Sequence, residues 1–126
     1  VIYLDTSAAA KVLIDEAETD SIRKLFADDT EFVSSKLLAV ELHAVADRRM
    51  VSADAAQELL DRVALVSLGD GILEDAITMH SGLRTLDALH LATAVRIKSA
   101  ISGILTFDNE LGAAAERHGI PLEEVQ

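Results

Sequence analysis

Four acidic residues, Asp5, Glu41, Asp87 and Asp108, occupy positions where the neighbouring sequence is apolar or an extended run has just ended. Asp5 closes the run Val-Ile-Tyr-Leu, and Asp108 follows Ile-Leu-Thr-Phe at 104 to 107. Both therefore fall at the carboxyl ends of expected strands, the rim on which open α/β sheets place their ligand crevice. Glu41 interrupts the helical row Leu37, Leu38, Ala44, Val45, which otherwise faces a core. Asp87 lies in the first turn of Thr-Leu-Asp-Ala-Leu-His-Leu-Ala, beside Leu86, Leu89 and Leu91. If the four meet, cations are required, because like charges packed together in a dry site cannot all stay ionised. Oxygen-only ligands favour Mg²⁺ or Mn²⁺, and the absence of cysteine makes zinc a poorer fit. Such ions generate hydroxide from water, orient a phosphate ester, and stabilise charge on the attacking and leaving oxygens.

Each acid also has a plainer reading. Helix capping accounts for Asp5 or Asp108, and the helix macrodipole favours an acid at Asp87. A buried salt bridge with Arg or Lys accounts for Glu41, since an unpaired buried carboxylate is costly or turns neutral. Taken alone, Glu41 fits the metal and the salt-bridge readings equally well. His43, His80, His90 and His118 lack tight ligand spacing. His90, three residues after Asp87, can hydrogen-bond it and reads as a core or supporting residue ahead of a direct ligand. His118 reads as a partner for a helix C-terminus. Lys11, Lys36 and Arg84 lie near the acids; Arg84 leads as a contact for substrate phosphate, with Lys11 behind it, although a solvated surface charge is the commoner role. Arg48 and Arg49 read as decoration on a helical hairpin.

The 126 residues suit one compact unit, 1–126. Half of them are apolar, with three Phe and one Tyr, so the core is expected to be built from Leu, Ile, Val and Ala. Residues 1 to 5 read as a strand, and Thr6 or Ser7 caps a helix carrying Ala8, Val12 and Leu13. A helix over 19 to 28, started by Thr19 or Asp20, buries Ile22, Leu25 and Phe26, and a strand follows at 31 to 34. Ser34 and Ser35 are expected caps of a long helix to residue 49, and Ser52 of another to residue 64, giving a hairpin across Arg-Met-Val. A brief strand at 66 to 68, a helix over 72 to 81 and a helix from Thr85, with Ala88, Leu89, Ala92 and Val95 inward, come next. After a strand at 104 to 107, Asp108 or Asn109 caps a helix to His118, Gly119 stops it, and Ile-Pro leads to a short final strand. Such alternation specifies an α/β fold with a parallel sheet covered by helices on both faces.

A formal net charge of −11 repels polyanions and counts against nonspecific coating of DNA. It leaves phosphate chemistry open, because bound dications invert the local sign and a basic partner adds contacts. The lack of cysteine fits a reducing compartment. No secretion signal is visible, and the opening apolar run is far shorter than the roughly 20 residues of a membrane span. The expectation is a soluble cytoplasmic protein with no membrane partner.

Leu-Asp-Thr-Ser-Ala at 4 to 8, Val-Glu-Leu at 40 to 42, Leu-Asp-Ala-Leu-His-Leu-Ala at 86 to 92 and Thr-Phe-Asp-Asn-Glu-Leu at 106 to 111 resemble, in order and spacing, the four acidic motifs of PIN-domain ribonucleases. The likeness is to VapC-type toxins of prokaryotic toxin–antitoxin pairs and spans essentially the whole chain. It implies a PIN-like three-layer α/β fold and a Mg²⁺- or Mn²⁺-dependent endoribonuclease, with Asp5, Glu41, Asp87 and Asp108 as metal-binding and catalytic acids. Ser7 resembles the first-motif hydroxyl, Thr106 a brace for the strand end and Asp108, and Glu110 an outer carboxylate where many relatives carry Asp. Leu-Gly at 111 and 112 departs from the commoner Phe-Xaa pattern. The resemblance further implies an RNA substrate, a VapB-like antitoxin whose segment clamps the protruding helical pair between about 35 and 65, DNA contact only through that antitoxin, and a homodimer. Two rival readings are an inactive PIN-like scaffold for RNA or protein, and a receiver-type signalling module. The second wants a lysine after a late strand, where this chain has Asp108.

Overall fold

The structure is a computed structural model that describes residues 1–14 and 19–124. Its elements are β1 (Ile2–Leu4), α1 (Thr6–Ile14), α2 (Thr19–Ala27), β2 (Phe32–Ser35), α3 (Leu37–Arg49), α4 (Ala53–Leu60), β3 (Val63–Val66), α5 (Asp70–Thr78), α6 (Thr85–Arg96), a 3₁₀ turn (Lys98–Ala100), β4 (Gly103–Leu105) and α7 (Asn109–Arg117). The four strands form one parallel sheet in the order β3-β2-β1-β4. From β1 the chain builds toward β3 on one side and later returns to place β4 on the other. The reversal of direction therefore lies between β1 and β4, where parallel sheets open a crevice at their carboxyl ends.

Alternation along the strands sends side chains to two separate cores. Ile2, Leu4, Phe32 and Leu105 join Ala8 and Ala9 of α1, Phe26 of α2, Leu38 and Leu42 of α3, and Leu59 and Leu60 of α4 on one face. Tyr3 and Ile104 join Leu91 and Ala94 of α6 and Leu111, Ala114 and Ala115 of α7 on the other. Helices thus cover both faces, as the sequence implies. Among the described residues no helix is long and apolar enough to cross a membrane.

Several boundaries differ from expectation. The helix begun by Ser52, whose hydroxyl accepts the Ala55 N–H at 3.1 Å, ends at Leu60 rather than near 64. The following strand is Val63–Val66, not 66 to 68, because Val63 to Val66 pair in register with Phe32 to Ser35. A run such as Leu-Leu-Asp-Arg-Val-Ala-Leu-Val is apolar enough for helix or strand, and sheet pairing decides it. Ser35 accepts the Leu37 N–H at 3.1 Å, but Lys36 occupies the cap position of α3, and the Ser34 hydroxyl, buried beside the Tyr3 hydroxyl, caps nothing among the described residues. The helix expected over 72 to 81 starts two residues earlier and stops at Thr78. The final strand shrinks to one bridge between Leu122 and Ile104. There Gly103 allows close approach, since a Cβ would come within 2.7 Å of the Pro121 carbonyl oxygen. The expected burial of Ile22 lies outside the described side chains.

α3 carries the contrast between its inward and outward faces in adjacent turns. Leu42 is fully buried, whereas Val40 is 69 % exposed. Leu42→Ala is expected to lower the unfolding free energy by about 2–5 kcal/mol in urea titrations, and Val40→Ala to change it by no more than about 0.5 kcal/mol. Equal costs at the two positions would contradict this packing.

Candidate active site

The crevice between β1 and β4 is built on Asp5, only 3 % exposed. Its backbone N–H donates to the Leu105 carbonyl at 3.0 Å, and its own carbonyl accepts from Ala8 and Ala9, both at 3.1 Å, as α1 begins. On the side chain, Oδ2 accepts the Thr106 hydroxyl at 2.7 Å and the Ser7 hydroxyl at 2.8 Å. These donors are themselves held: Ser7 Oγ accepts the Phe107 N–H at 2.9 Å, and Thr106 Oγ1 accepts the Asp108 N–H at 3.0 Å. One oxygen of Asp5 is thereby committed and oriented, and no hydrogen bond from a described residue goes to Oδ1. Ser7 and Thr106, both marked in the sequence, stand at this corner, and Thr106 does link the strand end to Asp108.

Asp108 itself follows the plainer reading in part. It caps α7, with Oδ1 accepting the Leu111 N–H at 3.0 Å. It is also close enough to act on Asp87, which α6 carries in from the opposite layer. Burial pushes the Asp87 carboxyl up to about 6, reinforced by the negative charges of Asp108 and Asp5 and by a hydrogen bond to Asp108, while His90 opposes the rise. Burial is the larger cause and the neighbouring acids add to it: carboxylates from the end of β1, from α6 and from the start of α7 lie within electrostatic reach of one another.

Glu41, on α3, joins from the other side of β1. The partner expected for it under the salt-bridge reading was Arg or Lys; instead its Oε1 accepts from His90 Nε2 at 2.6 Å and from the Thr6 hydroxyl at 2.8 Å. Its side chain remains 17 % exposed. His90 therefore supports Glu41 rather than hydrogen-bonding Asp87. The sequence marks Thr6 only as a helix cap and His90 as a core or supporting residue with no tie to Glu41, and it does not single out Tyr3. A usable signal existed in Tyr3, the one tyrosine, set inside an apolar strand where its hydroxyl must find a partner.

The remaining candidates sit farther out. Lys11 places its ammonium 4.9 Å from the centre of the Phe107 ring, and with Ser7, Arg48 and Arg49 it lines a cavity of about 420 Å³. Arg48 and Arg49 thus border the corner's flank as well as the hairpin. Arg84 is exposed at the start of α6, three residues before Asp87, and makes no side-chain capping bond. Glu110 is exposed in the first turn of α7, in a cleft with Ser81, Gly82 and Leu83; no hydrogen bond or ion pair ties it to the acids among the described residues. His43 lies 3.4 Å from Gln57 on the helical hairpin.

Among the described residues no three His, Cys, Asp or Glu side chains are spaced to enclose an ion as they stand. The fit to a cation rests instead on charge and donor type: an all-oxygen set, crowded enough to hold a proton on Asp87 near pH 6, suits a hard dication. The crowding has a consequence for stability. Folding raises the Asp87 carboxyl from 3.8 to about 6, so the folded metal-free protein binds this proton more tightly than the unfolded chain. Its contribution is full below pH 3.8 and is lost as pH rises through about 6. In chelator, Asp87→Asn is therefore expected to melt above the parent at pH 7 and level with it near pH 4, by calorimetry. A gap that does not change with pH would show that Asp87 is not under this pressure.

A family model described as PIN domain matches residues 2–117. Ribonuclease VapC46 of Mycobacterium tuberculosis is 33 % identical over 121 residues, covering 94 % of this chain and 93 % of the relative. Ribonuclease VapC47 of the same species is 35 % identical over 118 residues, covering 88 % and 87 %. The crystal structure of Mycobacterium tuberculosis VapC20, titled a sarcin-ricin loop cleaving toxin, superposes with a TM-score of 0.69 at 22 % identity over 90 % of this chain and 95 % of that one. This last likeness concerns the fold. The chain belongs to the PIN-domain family, with ribonucleases named VapC among its relatives.

Proposed function

We propose that this chain is a metal-dependent endoribonuclease, the toxin of a VapBC-type pair, acting in the cytoplasm as one PIN-like domain over residues 1–126. The observation that carries the reading is the convergence of Asp5, Asp87 and Asp108 at the carboxyl ends of β1 and β4, felt as the raised carboxyl of Asp87. The relatives named ribonucleases support the chemistry.

In this proposal Asp5, Glu41, Asp87 and Asp108 hold Mg²⁺ or Mn²⁺. When bound, such an ion supplies Lewis acidity and a hydroxide from water at neutral pH. Ser7 and Thr106 keep Asp5 aimed, and Thr6 and His90 do the same for Glu41. Arg84 and Lys11, at the margins of the corner, contact RNA phosphates on either side of the scissile bond, and Glu110 has at most an outlying part. Hydrolysis leaves 5′-phosphate and 3′-hydroxyl ends. A VapB-like antitoxin docks against the α3–α4 hairpin, with DNA reached only through it, and the toxin works as a homodimer. The receiver-type alternative ends with the family assignment. The inert-scaffold alternative gives no account of why Asp87 is buried within reach of the negative charges of Asp108 and Asp5.

With antitoxin removed, RNA cleavage is expected to need Mg²⁺ or Mn²⁺, to stop in EDTA, and to fall by roughly 100-fold or more in Asp5→Asn and Asp87→Asn, beyond what loss of an outlying support costs. Cleavage that persists in both variants would refute the site. Cyclic 2′,3′-phosphate products would point to attack by the RNA's own hydroxyl instead.

A further inference from the structure

We propose that Tyr3 and His90 are positioning residues for Glu41: the Tyr3 hydroxyl fixes His90 in its Nε2-protonated tautomer, and that N–H locks one carboxylate oxygen of Glu41. The inference rests on the reading of Glu41 as a member of the RNA-cleaving site.

Tyr3 is the middle residue of β1, paired with Val33 on one side and Ile104 on the other. It is fully buried, as is His90. Their rings meet edge to face, 5.8 Å between centroids and 81° between planes. Tyr3 Oη lies 2.7 Å from His90 Nδ1, and His90 Nε2 lies 2.6 Å from Glu41 Oε1. A carboxylate only accepts, so Nε2 carries the proton; in a neutral ring Nδ1 then only accepts, and the Tyr3 hydroxyl must donate. A phenol is protonated at neutral pH, so that donor is present. The ring is thus pinned at both nitrogens, and turning it over would break both bonds.

The Thr6 hydroxyl adds a second donor to the same Glu41 oxygen at 2.8 Å and lies 3.3 Å from His90 Nε2. No hydrogen bond from a described residue goes to Oε2. A side chain with three rotatable bonds, partly open to water, is therefore reduced to one orientation by donors on α1 and α6, the second of them backed by Tyr3 of β1. A buried histidine needs partners, and Tyr3 would satisfy one nitrogen; core packing gives no reason for the other to meet an acid at 2.6 Å. The opposing arrangement is an imidazolium–carboxylate pair with the tyrosine oxygen accepting, which would neutralise Glu41 instead of aiming it.

The two are separated by ¹⁵N–¹H NMR of histidine-labelled, metal-free protein at neutral pH. The expected result is a His90 ring protonated at Nε2 alone; a ring protonated at both nitrogens, or at Nδ1 alone, overturns the proposal. Tyr3→Phe, checked for folding by circular dichroism, is expected to mix the tautomers, weaken Mn²⁺ binding by about 10-fold, and lower kcat with KM for RNA unmoved. His90→Gln, which brings an amide N–H toward the Nε2 position, is expected to retain more Mn²⁺ affinity than His90→Asn, whose amide stops short. Unchanged tautomer and Mn²⁺ affinity in Tyr3→Phe would dismiss the positioning role. Failure of the parent protein to cleave RNA would defeat the functional reading and leave the tautomer result standing.

Discussion

Mutual repulsion among carboxylates at the β1–β4 corner is the constraint around which the molecule is organised. Asp5, Asp87 and Asp108 come from three elements, and the raised carboxyl of Asp87 registers its burial first and the negative charges of the other two second. Left to relax, such groups would splay into water. They do not, because β1 and β4 are paired strands, α6 is wedged between the sheet and α5, and α7 starts from the capping bond of Asp108 itself. The apolar cores on both faces bear the cost of holding the corner together. A fold that spends stability in this way is expected wherever a charged ligand repays it on binding.

Asp5 and Glu41 are oriented by the same device made from different parts. Each has one oxygen taken by two donors: hydroxyls of Ser7 and Thr106 for Asp5, the Thr6 hydroxyl and His90 ring for Glu41. Two donors on one oxygen fix the plane of a carboxylate as well as its direction, which a single bond does not. Sites of this kind depend on supporting groups about as much as on the acids they support.

The places of the four acids in the fold were legible in the sequence, because strands end abruptly and a carboxylate in an apolar helical row stands out. So was the α/β plan, since short joins between alternating elements leave few other arrangements. What was not legible shares one cause, separation along the chain. Glu41 and His90 meet across 49 positions and Tyr3 and His90 across 87, and nothing local tells Glu41 that its partner is an imidazole rather than an Arg. The same applies to β3, whose start at Val63 is set by pairing with Phe32 and not by its own residues. Ser34 shows the converse: a good local cap that the sheet instead buries.

The first turn of α1 packs unlike duties into neighbouring positions. Asp5 faces the acidic corner, Thr6 reaches across to α3, and Ser7 turns back to Asp5 and the loop after β4. Successive helical residues point about 100° apart, so this division of labour is a property of the thread's phase. A single codon gained or lost between Leu4 and Ala8 would rotate every assignment at once, leaving a helix that still buries its alanines but addresses the wrong neighbours. This stretch should therefore tolerate changes of spelling far better than changes of length.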